Sequence, residues 1–333
     1  MSQISPPHLA PDSLLVQTRI GWYCPKADVY IDPSAKVQRA VITHAHMDHA
    51  TPGVGGYFAH HDTIPILRHR LGHNIQTQGA AYGESVNIRG VTFSFHPAGH
   101  VAGSAQVRVE CDGDVWVVSG DYKVQDDGLI PAFEPVKCRV FITETTFGLP
   151  MFQWRDPQLL TNELNDWWRE NAENGITSIL LGYSLGKSQR LLHMADASIG
   201  PLYCGEEVES TNQVIREMGY PLKSAKLLDS SVKQSDLRSA LVIAPPQVLK
   251  GPLMQILRPC QVGMASGWMA HGRRKSRFGA DRGFVISDHA DWPGLNWAVQ
   301  ESGAEVVYTE HGYAPDFTRW LRSKGIASFS TEY

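Results

Sequence analysis

The densest group of chemically reactive side chains lies in one seven-residue segment. Residues 43–49, THAHMDH, follow a β-rich run and contain three imidazoles and one carboxylate. Side chains alternate between the two faces of an extended chain, so His44 and His46 point the same way. A turn after them directs Asp48 and His49 toward a second point. Because imidazole and carboxylate groups are ligands for divalent cations, this spacing predicts two adjacent metal sites.

Three further candidate residues each follow a predicted strand. His100 lies in HPAGH, Asp121 in VWVVSGD and Asp32 in VYID. A carboxylate can bridge two cations through its two oxygens, whereas an imidazole binds an ion through one nitrogen, so Asp121 is the better bridging candidate. Asp32 either serves in a turn or orients a ligating histidine by a hydrogen bond.

The elements that must position these residues form an α/β pattern. Short β-rich runs separated by turn residues extend from about residue 28 to residue 146, among them 86–95, which we predict as one strand. Helical spacing of apolar residues begins after residue 158 and again after residue 282. The predicted helices are 159–171, 188–197, 292–302 and 316–324, and the predicted later strands are 178–181, 283–287 and 305–309.

Asp32, the run from His44 to His49, His100 and Asp121, in this order, resemble the motifs of the metallo-β-lactamase superfamily. The resemblance implies an αββα sandwich with a dinuclear metal site on one edge, and hydrolysis as the chemistry. In that arrangement the first ion is held by His44, His46 and His100. The second is held by Asp48 and His49, and Asp121 bridges the two. Zn²⁺ suits the histidines, with Mn²⁺ as the alternative.

Three later motifs resemble those of the β-CASP nuclease branch of that superfamily. They are FITETTF with Glu144, VISDHAD with His289 and YTEHG with His311. By this resemblance His311 ligates the second ion, and His289, paired with Glu144, protonates the leaving oxygen. A carboxylate beside an imidazole favours the protonated ring, which is consistent with that role. The implied domains are a core formed by 1–150 and 284–333, and an inserted α/β β-CASP cap, 151–283.

A glycine-containing turn, GYSLGKS at 182–188, precedes a predicted helix. It is not a P-loop, because three rather than four residues separate its glycines. Backbone amides and the helix dipole still converge at a helix N-terminus, so Gly186, Lys187 and Ser188 are candidate phosphate ligands. The segment is similar to the phosphate-binding segment of β-CASP caps. The alternative is a simple turn with a solvated lysine.

A basic run, HGRRKSR at 271–277, contains no acidic residue. Its four cationic side chains are those of Arg273, Arg274, Lys275 and Arg277. We predict salt-sensitive contacts to the phosphates of a nucleic-acid strand, with a solvated loop as the alternative. Four aromatic residues are candidates for stacking on bases, although buried packing is their more common role: Trp22, Tyr23, Trp154 and Trp268.

Composition narrows the class of protein. The 333 residues carry a net charge of −4 and are 42% hydrophobic, which argues against both a general nucleic-acid coating protein and a disordered chain. No apolar run approaches the ~18 residues of a membrane span. The five cysteines are scattered and the N-terminus lacks a secretory signal, so we expect reduced thiols and a cytoplasmic protein without membrane partners.

The motifs together predict a metal-dependent phosphodiesterase that degrades DNA as an exonuclease. They look most like those of the bacterial ligase-associated DNA exonucleases, which implies DNA, an ATP-dependent ligase and a helicase as partners in repair. An RNA-cleaving β-CASP ribonuclease of the mRNA 3′-end-processing type is the first alternative, because a histidine at position 311 is usual there. A non-catalytic nucleic-acid-binding scaffold and a small-molecule thioester hydrolase are further alternatives.

Overall fold

The computed structural model describes residues 13–271 and 279–331. The chain divides into two compact units: unit 1 comprises Met1–Gln153 and His289–Tyr333, and unit 2 comprises Trp154–Asp288. Domain limits at 150 and 283 remain predictions. Among the described residues, no helix is long and apolar enough to cross a lipid bilayer.

The first sheet of unit 1 has six strands in chain order. They are β1 (Val16–Thr18), β2 (Gly21–Cys24), β3 (Val29–Ile31), β4 (Ala40–Ile42), β5 (Tyr57–His60) and β6 (Thr77–Ala80), with helix α1 (Thr63–Leu71) after β5. The pairs β1/β2 and β2/β3 are antiparallel, and the pairs from β3 to β6 are parallel.

The second sheet of unit 1 begins with five consecutive strands. They are β7 (Val86–Ile88), β8 (Val91–Pro97), β9 (Ala105–Cys111), β10 (Asp114–Val118) and β11 (Val140–Glu144). The prediction of one strand over 86–95 is wrong, because the segment is a hairpin. Arg89 and Gly90 both adopt positive φ angles, 51° and 83°, and turn the chain between β7 and β8.

Unit 2 contains one open sheet in which every neighbouring pair of strands is parallel. Its elements are α2 (Pro157–Glu173), β12 (Thr177–Leu181), α3 (Lys187–Met194), β13 (Leu202–Cys204), α4 (Glu206–Glu217), β14 (Lys226–Leu227), β15 (Leu241–Ala244), α5 (Met254–Leu257), β16 (Cys260–Ala265) and β17 (Arg282–Phe284). The strand order is β14-β13-β15-β12-β16-β17.

The chain then returns to unit 1 and completes its second sheet. The last elements are α6 (Trp292–Ser302), β18 (Val306–Glu310), α7 (Ala314–Ser323) and β19 (Ala327–Ser330). The sheet has the order β19-β18-β11-β10-β9-β8-β7. All four predicted helices are present with small shifts at their ends. The predicted strand 283–287 ends early, at Phe284, because its partner strand β16 ends at Ala265, the residue in register with Phe284.

Unit 1 is layered because the inner strands of its second sheet are apolar on both faces. Trp116 and Val118 of β10 pack in the core shared with the first sheet, while Val117 packs against α6 and α7. Phe141 and Val307 are in register with Val117 on β11 and β18 and lie in the same cluster as it does. This arrangement is an α/β sandwich, and the α/β class predicted from the sequence is confirmed.

Candidate metal centre

Strand direction explains why residues far apart in sequence meet in unit 1. In the second sheet β8, β10, β11 and β18 all run the same way, so their carboxyl ends lie on one edge. His100, Asp121, Glu144 and His311 lie at or just after these ends. From the first sheet, β4 ends at Ile42 and is followed directly by the 43–49 run.

Gly120 lets the two sheets approach each other at this edge. It has a φ of +56°, and a Cβ atom there would lie 2.6 Å from both Cβ and Oγ1 of Thr43. The backbone N–H of Ala105 donates to the carbonyl of Thr43 at 2.8 Å, which ties the same loop to β9. A side chain at position 120 would therefore push the histidine-bearing loop away from the loop that carries Asp121.

The first donor group consists of His44, His46, His100 and Asp121. His46 Nδ1 lies 3.0 Å from His44 Nε2 and 3.1 Å from His100 Nε2. Asp121 Oδ2 lies 3.6 Å from His44 Nε2 and 3.7 Å from His100 Nε2. A tetrahedral site with bonds of about 2.1 Å has donors about 3.4 Å apart, so the donor set fits a divalent ion such as Zn²⁺.

The tautomer of His44 follows from its neighbours. The Thr43 hydroxyl donates its single proton to Asp32 Oδ2 at 2.5 Å, so at 3.0 Å it accepts from His44 Nδ1. His44 Nε2 is then unprotonated and presents its lone pair to the cluster. Burial, reinforced by the neighbouring imidazoles, holds the pKa of His44 well below its usual value. A buried, neutral imidazole of fixed tautomer is the form that binds a metal ion.

The second donor group contains His49, Asp121 and His311. His49 Nε2 lies 3.5 Å from Asp121 Oδ2, and its Nδ1 donates to Asp32 Oδ2 at 2.8 Å. Burial alone would lower the pKa of His49, but the carboxylates of Asp121 and Asp32 outweigh it and raise the pKa well above its usual value. In the polypeptide alone His49 therefore holds a proton between carboxylates, a place that a cation would take.

The third donor group is formed by Asp121, Glu144 and His289. His289 Nδ1 lies 2.9 Å and 3.1 Å from the two carboxylate oxygens of Glu144. The buried carboxylate also accepts from the backbone N–H groups of Tyr122 at 2.9 Å and Thr146 at 3.3 Å. Glu144 is thus held by two backbone N–H groups and by His289, which faces it through Nδ1.

Asp121 belongs to all three donor groups, which gives it a central position. Burial would raise the pKa of its carboxyl group, but the positive charges of His49 and His289 outweigh burial and hold the pKa well below its usual value. The carboxylate is therefore ionised and available to a cation. Its neighbours Asp32 and His311 adopt positive φ angles of 44° and 58°, a strained backbone that is typical of functional sites.

Asp48 is the predicted ligand that the structure does not bring into a donor group of the described residues. Its side chain is 74% exposed, and its Oδ2 lies 3.9 Å from His49 Nε2. A rotation of this exposed side chain would be needed for it to share an ion with His49. Its role as a ligand stays a prediction.

The predicted phosphate ligands of unit 2 already have partners within that unit. Lys187 is buried, and its Nζ donates to Asp288 Oδ1 at 2.5 Å. The Ser188 hydroxyl donates to the carbonyl of Tyr183 at 2.7 Å, and Gly186 N–H donates to Gln189 Oε1 at 2.6 Å. Phosphate binding by these groups stays a prediction and would require these contacts to open. The predicted contacts Arg273, Arg274, Lys275 and Arg277 lie outside the described residues.

Glu310 is a site residue that the sequence did not indicate. Its Oε1 accepts from Trp22 Nε1 at 2.7 Å, and burial raises the pKa of its carboxyl group. Glu310 lines a cavity of about 190 Å³ together with Asp48, His49 and His311. Its position just before His311 indicates that Glu310 lies near the site. Its hydrogen bond to Trp22 could not be predicted, because the two residues are 288 positions apart in sequence. Trp22 itself is buried and packs against aromatic rings of the core, so it is not free to stack on a base.

The amino-acid sequence is similar to those of several known proteins. No protein-family model matches the chain. The chain is 27% identical over 321 residues, 93% of its length, to a probable DNA ligase of Opitutus terrae. It is 27% identical over 202 residues, 50% of its length, to cleavage and polyadenylation specificity factor 73 of Drosophila melanogaster. The aligned parts cover 30% and 29% of those proteins, so the chain spans less than a third of their length.

The fold also has a counterpart among solved structures. A crystal structure of a protein of unknown function from Enterococcus faecalis V583 matches with a TM-score of 0.63 at 11% identity. The match covers 87% of this chain and 78% of that chain, and at this identity it shows the fold alone. The chain is also similar to two proteins named as ribonucleases: it is 27% identical over 194 residues, 47% of its length, to endoribonuclease YSH1 of Yarrowia lipolytica, and 29% identical over 114 residues, 33% of its length, to RNase aCSPSF2 of Saccharolobus solfataricus.

Proposed function

We propose that this protein is a metal-dependent exonuclease that degrades DNA during repair, alongside an ATP-dependent ligase and a helicase. The observation that carries the proposal is the alignment of 93% of the chain with 30% of a protein named as a probable DNA ligase. In that relative, the segment similar to this chain and the remaining 70% of the sequence belong to one polypeptide. Physical linkage of two activities favours their acting on the same substrate, so a nuclease of ligatable DNA ends is the function we infer.

Unit 2 is, on this proposal, the β-CASP cap inserted into a metallo-β-lactamase core. The first ion would be held by His44, His46 and His100, and the second by His49, His311 and Asp48. Asp121 would bridge them. When bound, such ions supply Lewis-acid activation of water and charge stabilisation on the phosphoryl oxygens. The five histidines of this set favour Zn²⁺, and its two carboxylates allow Mn²⁺.

His289 is the residue that would move a proton. Its Nδ1 is held by Glu144 at 2.9 Å, so Nε2 can carry the second proton toward a leaving 3′ or 5′ oxygen. The side chain of His289 is 21% exposed, so solvent reaches it, and it shares a donor group with Asp121. Asp32 holds His49 directly and His44 through Thr43, so we propose that it acts by orienting two ligands.

Contacts to the DNA backbone are proposed for two segments. Arg273, Arg274, Lys275 and Arg277 would supply sequence-independent attraction to phosphates. Gly186, Lys187 and Ser188 would contribute only if their internal hydrogen bonds exchanged for phosphate oxygens. The basic segment is the stronger candidate of the two for this reason.

Cleavage of RNA is the second candidate function. It is favoured by the similarity to a protein named as a cleavage and polyadenylation specificity factor. It is also favoured by the position of His311, which lies in one donor group with His49 and Asp121. An RNA-cleaving enzyme would use the same donor groups, so only the substrate separates the two candidates.

Digestion of matched strands tests the proposal. DNA and RNA of one sequence, labelled at the 5′ or the 3′ end, are incubated with Zn²⁺ or Mn²⁺, and Asp121→Asn protein serves as the contamination control. Stepwise shortening of DNA from one end, absent with the variant, is the expected result. Internal or RNA-selective cuts would favour the second candidate. Cleavage that persists in Asp121→Asn would contradict both.

A further inference from the structure

Tyr183 is an exposed aromatic residue of unit 2 that lies in the 182–188 motif but has no role in the phosphate contacts or the proposed chemistry. Its side chain is on the surface, with the residue 66% exposed. Its hydroxyl group makes no hydrogen bond to any described residue. Exposing a large ring without a partner forgoes the stabilisation that burial gives, so this ring is a candidate for contact with a ligand.

Tyr183 lies just beyond the carboxyl end of a central strand, the end at which open parallel sheets bind ligands. The residue follows the carboxyl end of β12, which lies between β15 and β16. The chain leaving β12 passes through α3 to β13, on the β15 side of β12. The chain leaving β15 leads to β16, on the opposite side of β12. Connections that depart in opposite directions define a topological switch point, and crevices for ligands form outside the strands there.

The turn that carries Tyr183 is held rigidly. The carbonyl of Tyr183 accepts two hydrogen bonds from Ser188, from its N–H at 3.1 Å and its hydroxyl at 2.7 Å. Gln189 Nε2 donates to the carbonyl of Ser184 at 2.9 Å. At Gly182 a Cβ atom would lie 2.9 Å from Cγ of Lys187, so the turn is packed tightly on α3. A rigid turn presents the ring at little cost in conformational entropy.

A second aromatic residue lies at the same edge. Leu181 of β12 is in register with Met264 of β16, and each strand is followed within four residues by an aromatic side chain, Tyr183 and the half-buried Trp268. Adjacent strands are about 4.8 Å apart. The polar groups at the α3 end of this turn are engaged in hydrogen bonds within unit 2.

We propose that the ring of Tyr183 stacks on an unpaired nucleobase, and that unit 2 therefore binds single-stranded nucleic acid through its bases. The inference rests on the proposed nuclease function and adds the form of substrate that this unit accepts. Stacking suits the site because every base has a flat face, which makes the contact independent of sequence. A base within a duplex is covered on both faces and has no face to offer.

Equilibrium binding of the whole protein tests the proposal. The probes are a phosphorothioate oligothymidylate and a strand of equal length that carries the same backbone but abasic sugars, each followed by fluorescence anisotropy. The variants are Tyr183→Ala, Tyr183→Phe and, as a matched control, Leu227→Ala, which shortens another exposed apolar side chain on the edge strand β14. Melting curves establish that each variant is folded.

We expect Tyr183→Ala to weaken binding of the thymidine strand about 5- to 100-fold and to leave the abasic strand unchanged. Tyr183→Phe, which keeps the ring, and Leu227→Ala should bind both strands as the unaltered protein does. Equal weakening of both strands by Tyr183→Ala, or a loss in Tyr183→Phe as large as in Tyr183→Ala, would overturn stacking. If the variant binds normally while the protein digests labelled strands, stacking is wrong and the nuclease function stands. If the unaltered protein neither binds nor digests any strand, both fail.

Discussion

The carboxyl edges of the two parallel-strand systems in this molecule carry very different side chains. At the edge of the second sheet of unit 1, three donor groups of histidines and carboxylates converge on Asp121. At the edge of the unit 2 sheet, the polar groups of Lys187, Ser188 and Gln189 form hydrogen bonds within that unit. The ring of Tyr183 is exposed there. Strand direction brings loops to one edge in both cases. The side chains in those loops decide whether the edge suits cations or flat apolar ligands.

The two edges also differ in how their buried charges are balanced. In unit 1 the ionised Asp121 faces several imidazoles, and His49 and Asp32 share a proton, so the group has an excess of lone pairs for cations to occupy. In unit 2 the ammonium group of Lys187 meets the carboxylate of Asp288, so these two opposite charges compensate each other. Unbalanced buried groups indicate a missing ligand, whereas a balanced pair indicates a structural role.

The largest effect should come from breaking the centre of the unit 1 edge. Asp121→Asn removes the bridging charge while keeping the side-chain volume, so we expect loss of bound metal and a fall in cleavage of about 10⁴-fold. Metal content by mass spectrometry and initial cleavage rates measure both. Asp48→Asn, at an exposed position, is the matched control and should lower metal content and cleavage rate less. Full metal content in Asp121→Asn would contradict a bridging role.

His289→Gln should separate proton transfer from metal binding at the same edge. The ring lies in only one of the three donor groups, so we expect normal metal content with cleavage slowed about 10³-fold. A substrate with a leaving group that needs no protonation, such as a p-nitrophenyl phosphodiester, should be affected much less. An equal loss on both substrates would remove His289 from the proton-transfer role.

Lys187→Ala tests whether the Lys187–Asp288 pair in unit 2 is structural. The substitution removes the ammonium group that pairs with the buried Asp288, so we expect the free energy of unfolding to fall by about 3–5 kcal/mol in urea melts. The double variant Lys187→Met with Asp288→Leu should recover most of that loss. The slope of log affinity against log salt for DNA should stay unchanged. A slope smaller by about 0.7 would instead identify Lys187 as a phosphate contact.

Asp32→Asn should produce the smallest of these effects. His49 would keep a weaker acceptor, and we expect metal affinity at neutral pH to fall about 10- to 100-fold. The carboxylates of Asp121 and Asp32 raise the pKa of His49, and its proton competes with a cation, so affinity in the unaltered protein falls as pH drops through that raised pKa. Without the Asp32 charge the pKa is lower, and the decline should begin at a lower pH. Calorimetric titrations across pH measure this shift, and an unchanged midpoint would contradict it.

The parts of the site that sequence could predict are those set by local spacing. The 43–49 run places its donors within one loop, and Asp121, Glu144 and His311 each follow a run of strand-forming residues. Because these strands run in the same direction, their carboxyl ends, and the residues that follow them, lie on one edge of the sheet. The α/β class followed from the same periodicity, although the turn at Arg89 and Gly90 was missed because β-rich segments on both sides of it read as one strand.

The parts that sequence could not predict depend on partners distant along the chain. Lys187 reads as a solvated cation beside a glycine, and its pairing with Asp288 appears only when β12 and the end of the 282–288 segment are folded together. The bond between Trp22 and Glu310 spans 288 residues. Asp48 illustrates the opposite case: it stands between two site histidines in sequence, yet its carboxylate is largely solvated.

The backbone hydrogen bond from Trp292 N–H to the carbonyl of Phe152, 2.9 Å long, has a consequence for the history of the molecule. Residues 152 and 292 flank unit 2 in sequence, so the chain leaves unit 1 and re-enters it at adjacent points. An insertion with neighbouring ends can be gained, lost or exchanged in evolution without interrupting the host domain. The metal-site edge of unit 1 and the sheet of unit 2 thus lie in parts of the chain that evolution can exchange separately.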